Sequence, residues 1–376
     1  MTLQEPLDQT YTAMPTAEAL ERIAERKRQL AGEVCILGHH YQRDEIFQFA
    51  DLTGDSLKLS RQAAQTDCRY IVFCGVHFMA ESADILTPPD RAVILPELSA
   101  GCAMADMAEV DDVIECLQVL TRAAGGAKVV PVTYVNSSAA VKAVTGRAGG
   151  ACCTSSNAAE VFQWALRDES EGGAGGQKVL AIPDQHLGRN TAVALGYEPD
   201  DCVVYDPAQP NGGLSDEQIR RARFILWKGH CYVHQRFTVQ QVRAVRQQRP
   251  DIKVMVHPEC PYEVVQAADS SGSTEQILQV VNAAPAGSSW AIGTESNMVR
   301  RLAANNPDKF VRVLADTPPL CLTMARIDPP HLLWVLDNLS QGVVVNRITV
   351  PEQTARDARD ALERMLAIRS AGQTED

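Results

Sequence analysis

Three segments of the chain repeat one pattern of residues. Each begins with an apolar stretch that ends in polar side chains: VCILGHHY (34–41), VVPVTYVN (129–136) and VMVHPE (254–259). A hydroxyl-rich turn that opens a helix follows, then a second apolar stretch, and then a third that leads into a cysteine. Because the same features recur in the same order, the sequence predicts three copies of one small folding unit.

The spacing within the repeats supports this interpretation. His39 precedes Gly75 by 36 residues, and His257 precedes Gly293 by 36 residues. The alternative is that any chain of alternating strands and helices yields loosely similar units. That alternative does not explain why polar end, hydroxyl turn and cysteine recur in one order, so triplication is favoured.

Helices alternate with the apolar stretches, and this alternation predicts strands buried in parallel sheets. The predicted fold class is α/β, with three small doubly wound domains related by pseudo-threefold symmetry around a central site. In such sheets, ligands bind at the carboxyl ends of the strands. The polar ends of the first strands and the three closing cysteines are therefore expected to face one cavity.

The domain edges follow from the repeats and from glycine- and proline-rich insertions. After the third repeat we predict a helix, a short strand over 343–350 and a final helix that begins at Pro351. The predicted segments are an N-terminal arm and helix (1–30), three α/β domains (31–115; 116–235 with loop insertions at 171–177 and 207–217; 236–325) and C-terminal helices that pack back on the core (326–376).

The chain has 11 cysteines and no C-x-x-C pair. An odd number without an export signal argues against a disulfide framework. Cys102, Cys231 and Cys321 close the three repeats, and three thiolates suit an iron–sulfur cluster or zinc. A [4Fe–4S] cluster held by three cysteines leaves one iron open as a Lewis acid. Each cysteine alone is more readily a buried apolar side chain, but their parallel placement favours ligation.

The polar strand ends supply groups suited to proton transfer and substrate binding. The alternative for any one strand-end histidine is a structural hydrogen bond. His234 lies three residues after Cys231, where it is a ligand, a substrate contact or a solvated loop residue. The strand-end candidates are His39, His40 and Tyr41 in the first repeat, Tyr134 and Asn136 in the second, and His257 and Glu259 in the third.

The hydroxyl turns place hydroxyl side chains where helices begin: Ser56, either Ser155 or Ser156, and Ser273 with Thr274. Free backbone N–H groups and the positive end of the helix dipole favour phosphate or carboxylate there. Simple N-capping explains any single turn equally well. Three such turns near one metal would suit a substrate with several carboxylates and a phosphate.

Charge and hydropathy exclude several classes of protein. The chain has 47 acidic and 35 basic residues and a net charge of −12, which argues against nucleic-acid binding. No apolar run approaches the length of a membrane span, and residues 1–20 lack the features of a signal peptide. A cytoplasmic protein without nucleic-acid or membrane partners is therefore expected. Neither a G-x-G-x-x-G nor a Walker A sequence occurs.

Several strings in the chain resemble those of the quinolinate synthase family. The resemblance covers nearly the whole chain after about residue 30. The strings are GHHYQ (38–42), ADLTGDSLKLS (50–60), FCGVHFMAE (73–81), AGC (100–102), YVNSSAAVKA (134–143), CTSSNA (153–158), WKGHCYVH (227–234), HPEC (257–260) and GST (272–274).

The resemblance implies an activity. Members of the family condense iminoaspartate (iminosuccinate) with dihydroxyacetone phosphate to give quinolinate, phosphate and two waters, a transferase step of de novo NAD synthesis. It also implies three α/β domains around a [4Fe–4S] cluster that acts as a Lewis acid, and functional coupling to L-aspartate oxidase.

By motif position, the resemblance also implies roles for single residues. The implied cluster ligands are Cys102, Cys231 and Cys321. The implied substrate-binding residues are His39, Ser56, Tyr134, Asn136, Ser155, His257, Glu259 and Thr274. The implied catalytic residues are Tyr41, Tyr134, His234 and Glu259. Some members carry C-x-x-C-x-x-C at the third cysteine, whereas PLCLTM has only Cys321.

Two other classes of function compete with this interpretation. An iron–sulfur redox sensor would need a DNA-binding or effector module, and the acidic chain shows none. A zinc hydrolase or lyase could use the same three cysteines, although catalytic zinc more often has histidine among its ligands. His234 keeps the zinc alternative open.

Overall fold

Parallel strands form three separate sheets within residues 4–368, which are the residues that the computed structural model describes. By its internal contacts, the chain divides into two units. The first unit comprises Met1–Cys102, Glu295–Asn305 and Pro318–Val350. The second unit comprises Ala103–Thr294, Asn306–Thr317 and Pro351–Asp376.

The strands are numbered in chain order, and every pair within a sheet is parallel. The sheet of the first unit consists of β1 (Val34–His39), β2 (Leu52–Gly54), β3 (Tyr70–Cys74) and β4 (Ala92–Ile94). The larger sheet of the second unit consists of β5 (Val129–Tyr134), β6 (Ala151–Cys153), β7 (Lys178–Ile182), β8 (Cys202–Tyr205) and β9 (Phe224–Trp227). Its smaller sheet consists of β10 (Lys253–Val256), β11 (Ser270–Ser271), β12 (Ser289–Gly293) and β13 (Phe310–Val313).

The strand order shows the repeat directly. It is β2-β1-β3-β4 in the first sheet, β6-β5-β7-β9-β8 in the second and β11-β10-β12-β13 in the third. Each sheet therefore places a short edge strand beside the first long strand, with β8 added to the second sheet. The predicted α/β class with three parallel sheets is confirmed, while the pseudo-threefold arrangement and the domain edges stay predictions.

Helices connect the strands. They are α1 (Gln9–Thr12), α2 (Thr16–Gln29), α3 (Asp44–Phe47), α4 (Ser56–Gln65), α5 (His77–Leu86), α6 (Ala103–Asp106), α7 (Val110–Ala123), α8 (Ala139–Arg147), α9 (Ala158–Leu166), α10 (Gln185–Ala194), α11 (Asp216–Arg221), α12 (Val239–Gln248), α13 (Tyr262–Ala267), α14 (Thr274–Ala283), α15 (Ser296–Asn305), α16 (Pro329–Ser340) and α17 (Glu352–Ala367). Short 3-10 helices lie at Glu169–Glu171, Pro199–Asp201, Pro210–Gly213, His234–Arg236 and Met324–Arg326. Among residues 4–368, no helix is both long enough and apolar enough to cross a membrane.

Burial explains why the strand segments are apolar throughout rather than alternating. Every residue of β1, β3, β7 and β12 is buried, as expected for parallel strands with helices on both faces. The tail differs in part from the prediction. Segment 343–350 was predicted to be a strand, but it contributes only an isolated antiparallel bridge between Arg347 and Ile94.

Helices α8 and α17 pack closely against each other in the second unit. A β-carbon added to Gly146 would lie 1.9 Å from the carbonyl oxygen of Asp357. In an open helix, alanine is more stable than glycine by about 1 kcal/mol. Here the backbone of α17 leaves no room for it.

We expect Gly146→Ala to destabilise the chain by about 1–3 kcal/mol, because the helices must separate to admit the methyl group. Thermal or urea unfolding measures the effect. Arg147→Ala is the matched control, since the ion pair that Arg147 makes with Asp357 (2.8 Å) is half exposed and worth about 0–1 kcal/mol. A Gly146→Ala variant as stable as wild type would show that α17 does not pack on α8 as described.

Candidate active site

The predicted polar residues lie at the carboxyl ends of the first long strand of each sheet. His39 is the last residue of β1, Tyr134 is the last residue of β5, and His257 directly follows β10. The fold therefore places these side chains where parallel sheets bind ligands.

Glu259 is the centre of the polar cluster in the second unit. Its side chain is buried, with 3 % of its surface exposed. The Tyr134 hydroxyl donates to Oε1 at 2.6 Å, and Nδ1 of His234 lies 2.7 Å from Oε2. The structure thus joins three of the four predicted catalytic residues in one hydrogen-bonded group, although they lie far apart in the sequence.

The Glu259 carboxylate is ionised despite its burial. Burial alone raises its pKa, but His234, His257 and the hydrogen bonds from His234 and Tyr134 together hold the pKa below its usual range. The carboxylate therefore has no proton of its own, which is the first requirement of a general base, while the same donors limit its basicity.

His257 is neutral and its tautomer follows from its contacts. Burial and the nearby His234 lower its pKa to about 3. Its Nδ1 accepts the backbone N–H of Glu259 at 3.3 Å, so the ring proton is on Nε2, which lies 3.2 Å from Oγ of Ser155. The His257 ring also stacks on that of His234, with centroids 4.4 Å apart.

His39 in the first unit has the same hydrogen-bonding arrangement as His257. Its Nδ1 accepts the backbone N–H of Tyr41 at 3.1 Å, which again leaves the ring proton on Nε2. The Tyr41 ring meets the His39 ring edge-on, with centroids 4.8 Å apart. Both histidines therefore present an Nε2–H donor beyond the end of a strand, a group suited to a carboxylate or carbonyl oxygen.

Asn136 has a buried Oδ1 atom without a hydrogen-bond partner in the part of the chain that the structure describes. Buried polar atoms rarely lack a partner. Asn136 lies two residues after Tyr134, just beyond the carboxyl end of β5, where parallel sheets bind ligands. A donor group on a bound ligand is therefore a natural partner for this oxygen.

The hydroxyl turns do more than cap helices. The carboxylate of Asp55 caps α4 by accepting the N–H of Lys58 at 2.9 Å, so Ser56 occupies the first helical position. Ser273 likewise caps α14, which leaves Thr274 at the first position. Capping therefore does not explain the hydroxyls of Ser56 and Thr274, which are placed at the positive ends of helix dipoles.

The cysteines fall into two groups by exposure. Cys102, Cys231 and Cys321 are partly exposed, as is Cys68. The buried ones are Cys35, Cys74, Cys116, Cys152, Cys153, Cys202 and Cys260.

Burial separates the cysteines that resist ionisation from the predicted ligands. It raises the pKa of Cys74 and of Cys152 to about 12 and that of Cys35 and of Cys202 to about 11. A metal ligand must be a thiolate. The predicted ligands are thus among the partly exposed cysteines, and their thiol chemistry is compatible with the predicted role as cluster ligands.

Cys231 also belongs to a mixed donor set in the second unit. Its Sγ, a ring nitrogen of His234 and a carboxylate oxygen of Glu259 all lie within 4.8 Å of one another. However, Nδ1 of His234 is bonded to Glu259, and its Nε2 lies 3.1 Å from Oγ1 of Thr294. A metal bound by His234 would have to break one of these bonds, so His234 fits a role beside Cys231 better than a role as ligand.

Sequence reasoning did not identify Asp184 or Thr294. Asp184 is buried and caps α10, and its carboxylate interacts with the backbone N–H of Cys231. Burial and the charge of Glu259 raise the pKa of Asp184 well above its usual value. Its place two residues after β7, at a carboxyl end, was the signal that could have identified it.

Comparison with known proteins gives a consistent result over nearly the full length. Residues 21–367 match the family described as quinolinate synthetase A protein. The quinolinate synthase of Streptomyces coelicolor is 56% identical over 355 residues, which cover 93% of this chain and 88% of the relative. Those of Acidobacterium capsulatum and Anoxybacillus flavithermus are 52% and 49% identical and cover 96% and 98% of this chain, and 95% and 98% of the relatives.

Proposed function

The chain belongs to the quinolinate synthase family and is an enzyme, and from this premise we propose that it condenses iminoaspartate with dihydroxyacetone phosphate. The products are quinolinate, inorganic phosphate and two waters, so the step is a transferase reaction that supplies NAD synthesis. One observation carries the proposal: the buried Glu259 between Tyr134 and His234, in a chain whose residues 21–367 match the family.

We propose that Cys102, Cys231 and Cys321 hold a [4Fe–4S] cluster. When bound, the cluster supplies one iron without a protein ligand, which acts as a Lewis acid on substrate oxygen or nitrogen. No net redox change is needed for the overall reaction.

The chain's own residues bind and orient the substrates. Ser56 and Thr274, at the N-terminal ends of two helices, and Ser155, beside His257, bind the phosphate and carboxylates through hydroxyl and backbone N–H groups. The Nε2–H groups of His39 and His257 donate to substrate oxygens. These donors fix the reacting carbons before any proton moves.

Glu259 then moves protons. Its carboxylate accepts a proton from the substrate carbon that forms the new carbon–carbon bond. The hydroxyl of Tyr134 and the ring of His234, both bonded to Glu259, return protons to departing oxygen atoms. Tyr41, in the first unit, is the second candidate for proton transfer in ring closure and dehydration.

A zinc lyase is the second candidate function, because the set of Cys231, His234 and Glu259 resembles zinc donors. The engaged ring nitrogens of His234 argue against it. The two candidates also differ in colour, since an iron–sulfur protein absorbs near 400 nm and a zinc protein does not.

The proposed function is tested by turnover under anaerobic conditions. Protein purified without oxygen is mixed with dihydroxyacetone phosphate and iminoaspartate, which an L-aspartate oxidase makes in the same vessel. Quinolinate is measured by chromatography and phosphate by a colour assay. One quinolinate for each phosphate supports the proposal, and phosphate release without quinolinate, or no reaction by an iron-loaded chain, contradicts it. We further propose a cytoplasmic enzyme, without nucleic-acid or membrane partners, that works alongside an L-aspartate oxidase.

A further inference from the structure

Two helices in corresponding positions of the repeat each hold a strand-end loop through a side chain that binds backbone carbonyls of that loop. Helix α10 follows β7, and helix α15 follows β12. In each case, a carboxylate two residues after the strand caps the helix: Asp184 accepts N–H groups of α10, and Glu295 accepts N–H groups of α15. Six residues after each cap comes a long or amide side chain, Asn190 and Arg301 respectively.

Asn190 holds the loop that carries Glu259. Its Nδ2 donates to the carbonyl oxygens of Pro258 at 2.8 Å and of Cys260 at 2.9 Å. These are the two residues that flank Glu259. Asn190 is buried, with 6 % of its surface exposed, so the two bonds are shielded from water.

Arg301 holds the loop that carries Tyr41 in the same way. Its guanidinium donates to the carbonyl oxygens of His40 at 3.0 Å and of Gln42 at 2.6 Å. These residues flank Tyr41.

Further contacts fix the Arg301 guanidinium itself. Its Nε donates to Asp44 at 2.8 Å, and its Cζ lies 3.6 Å from the centroid of the Phe47 ring. One rigid planar group is therefore bonded to two carbonyls of the loop and to the first residue of α3, and is stacked on the last residue of α3.

In the described residues of the first repeat, the corresponding position of helix α5 does not bind loop carbonyls in this way. The equivalent residue of α5, eight after the end of β3, is Ser82, whose hydroxyl donates to Phe78 of its own helix. The two loops held from outside are thus the ones that carry Glu259 and Tyr41. Packing alone does not require one side chain to bind the carbonyls on both sides of a residue. That this happens at Glu259 and at Tyr41, two of the four proposed proton-transfer residues, points to a functional reason.

We propose that Asn190 and Arg301 are positioning residues, Asn190 for Glu259 and Arg301 for Tyr41. Fixing both neighbouring carbonyls fixes the direction of the Cα–Cβ bond between them. A misplacement of about 1 Å at a reacting group costs about 100-fold in rate. The reaction in question is that of the proposed function, on which this inference rests.

The experiment uses the full chain, loaded and handled without oxygen. The variants are Arg301→Met, which keeps the stem and removes the donors, and Arg301→Lys, which keeps the charge but reaches only one carbonyl. Arg300→Met is the matched control, since Arg300 is the exposed neighbour on α15. Three quantities are measured: iron content, kcat and KM, and hydrogen exchange of the backbone amides of residues 40–44.

For Arg301→Met we expect kcat to fall about 100-fold with iron content and KM near wild type, and exchange of the loop amides to rise about tenfold. The kcat and the amide exchange of Arg301→Lys should lie between those of wild type and those of Arg301→Met. Arg300→Met should match wild type in all three quantities. Asn190→Asp replaces the donating nitrogen by an oxygen. It should likewise lower kcat, and it should speed the hydrogen exchange of the backbone amides within residues 258–260. It serves as the second test if Arg301→Met fails to fold.

Two outcomes would overturn the inference. Faster exchange with unchanged kcat would show a structural role only, and unchanged exchange would show that the side chain does not hold the loop. Failure of the proposed function is distinguishable, because wild type would then make no quinolinate while the exchange measurements still report on both loops.

Discussion

Replacing any one of Cys102, Cys231 and Cys321 by alanine is expected to remove the iron–sulfur cluster and, with it, all quinolinate formation. Each thiolate is one of three protein ligands, and a cluster with only two is not retained through purification. Wild type should contain about four irons and four sulfides per chain. Iron and sulfide analysis of anaerobically purified protein and absorbance near 400 nm measure the loss.

Cys68→Ala is the matched control for these variants. Cys68 is partly exposed like the three ligands, but it does not close a repeat. Its removal should leave iron content and turnover unchanged. A cluster that survives all three ligand changes, or zinc in place of iron, would refute the assignment of the ligands. The zinc lyase would then become the favoured function.

The long buried strands could be predicted from the sequence, but the short edge strands could not. Strands β1, β5 and β10 appear as apolar runs because both of their faces are covered. Strands β2 and β11 have only three and two residues, too few to show any periodicity. Strand β11 lies inside a hydroxyl turn and β2 ends where one begins. The serines and threonines there give no strand signal, and only pairing with the neighbouring long strand defines these two strands.

The candidate site could be predicted as a set of residues but not as a network. Strand-end position and repeat register pointed to Tyr134 and Glu259, yet 125 residues separate them, and no local pattern reports that their side chains meet. Asn190 and Arg301 gave no signal at all, because they bind backbone carbonyls and so need no particular sequence in the loops they hold. Such residues emerge only from three-dimensional contacts.

The local geometry within each unit is compatible with the anionic substrates proposed for this acidic chain. Its net charge is −12, but the residues proposed to bind the substrates are mainly neutral hydrogen-bond donors. Ser56 and Thr274 lie at helix N-termini, and the rings of His39 and His257 each present an Nε2–H group because their Nδ1 atoms accept backbone N–H groups. Helix dipoles and oriented N–H groups act over short distances, so the sign of the whole chain does not oppose them.

Glu259→Gln is expected to lower kcat by about 100- to 10,000-fold, the range of a lost acid–base group. The amide has nearly the same shape as the carboxylate and can still accept the Tyr134 hydroxyl, now 2.6 Å from Oε1, so the fold should persist. What it cannot do is accept a proton from substrate. Steady-state kinetics on iron-loaded protein should show the loss in kcat, with iron content and melting temperature close to wild type.

Glu263→Gln is the control for this change. It is the same chemical substitution, four residues away at an exposed position of α13, and this variant should turn over like wild type.

Tyr134→Phe tests whether the Tyr134 hydroxyl only orients the Glu259 carboxylate or also carries its proton. If the hydroxyl only orients the carboxylate, its loss should cost about tenfold, as one buried hydrogen bond is worth about 1 kcal/mol; if it also carries the proton onward, the loss should approach that of Glu259→Gln. A Glu259→Gln variant with full turnover would remove Glu259 from the reaction and leave Tyr41 as the candidate base.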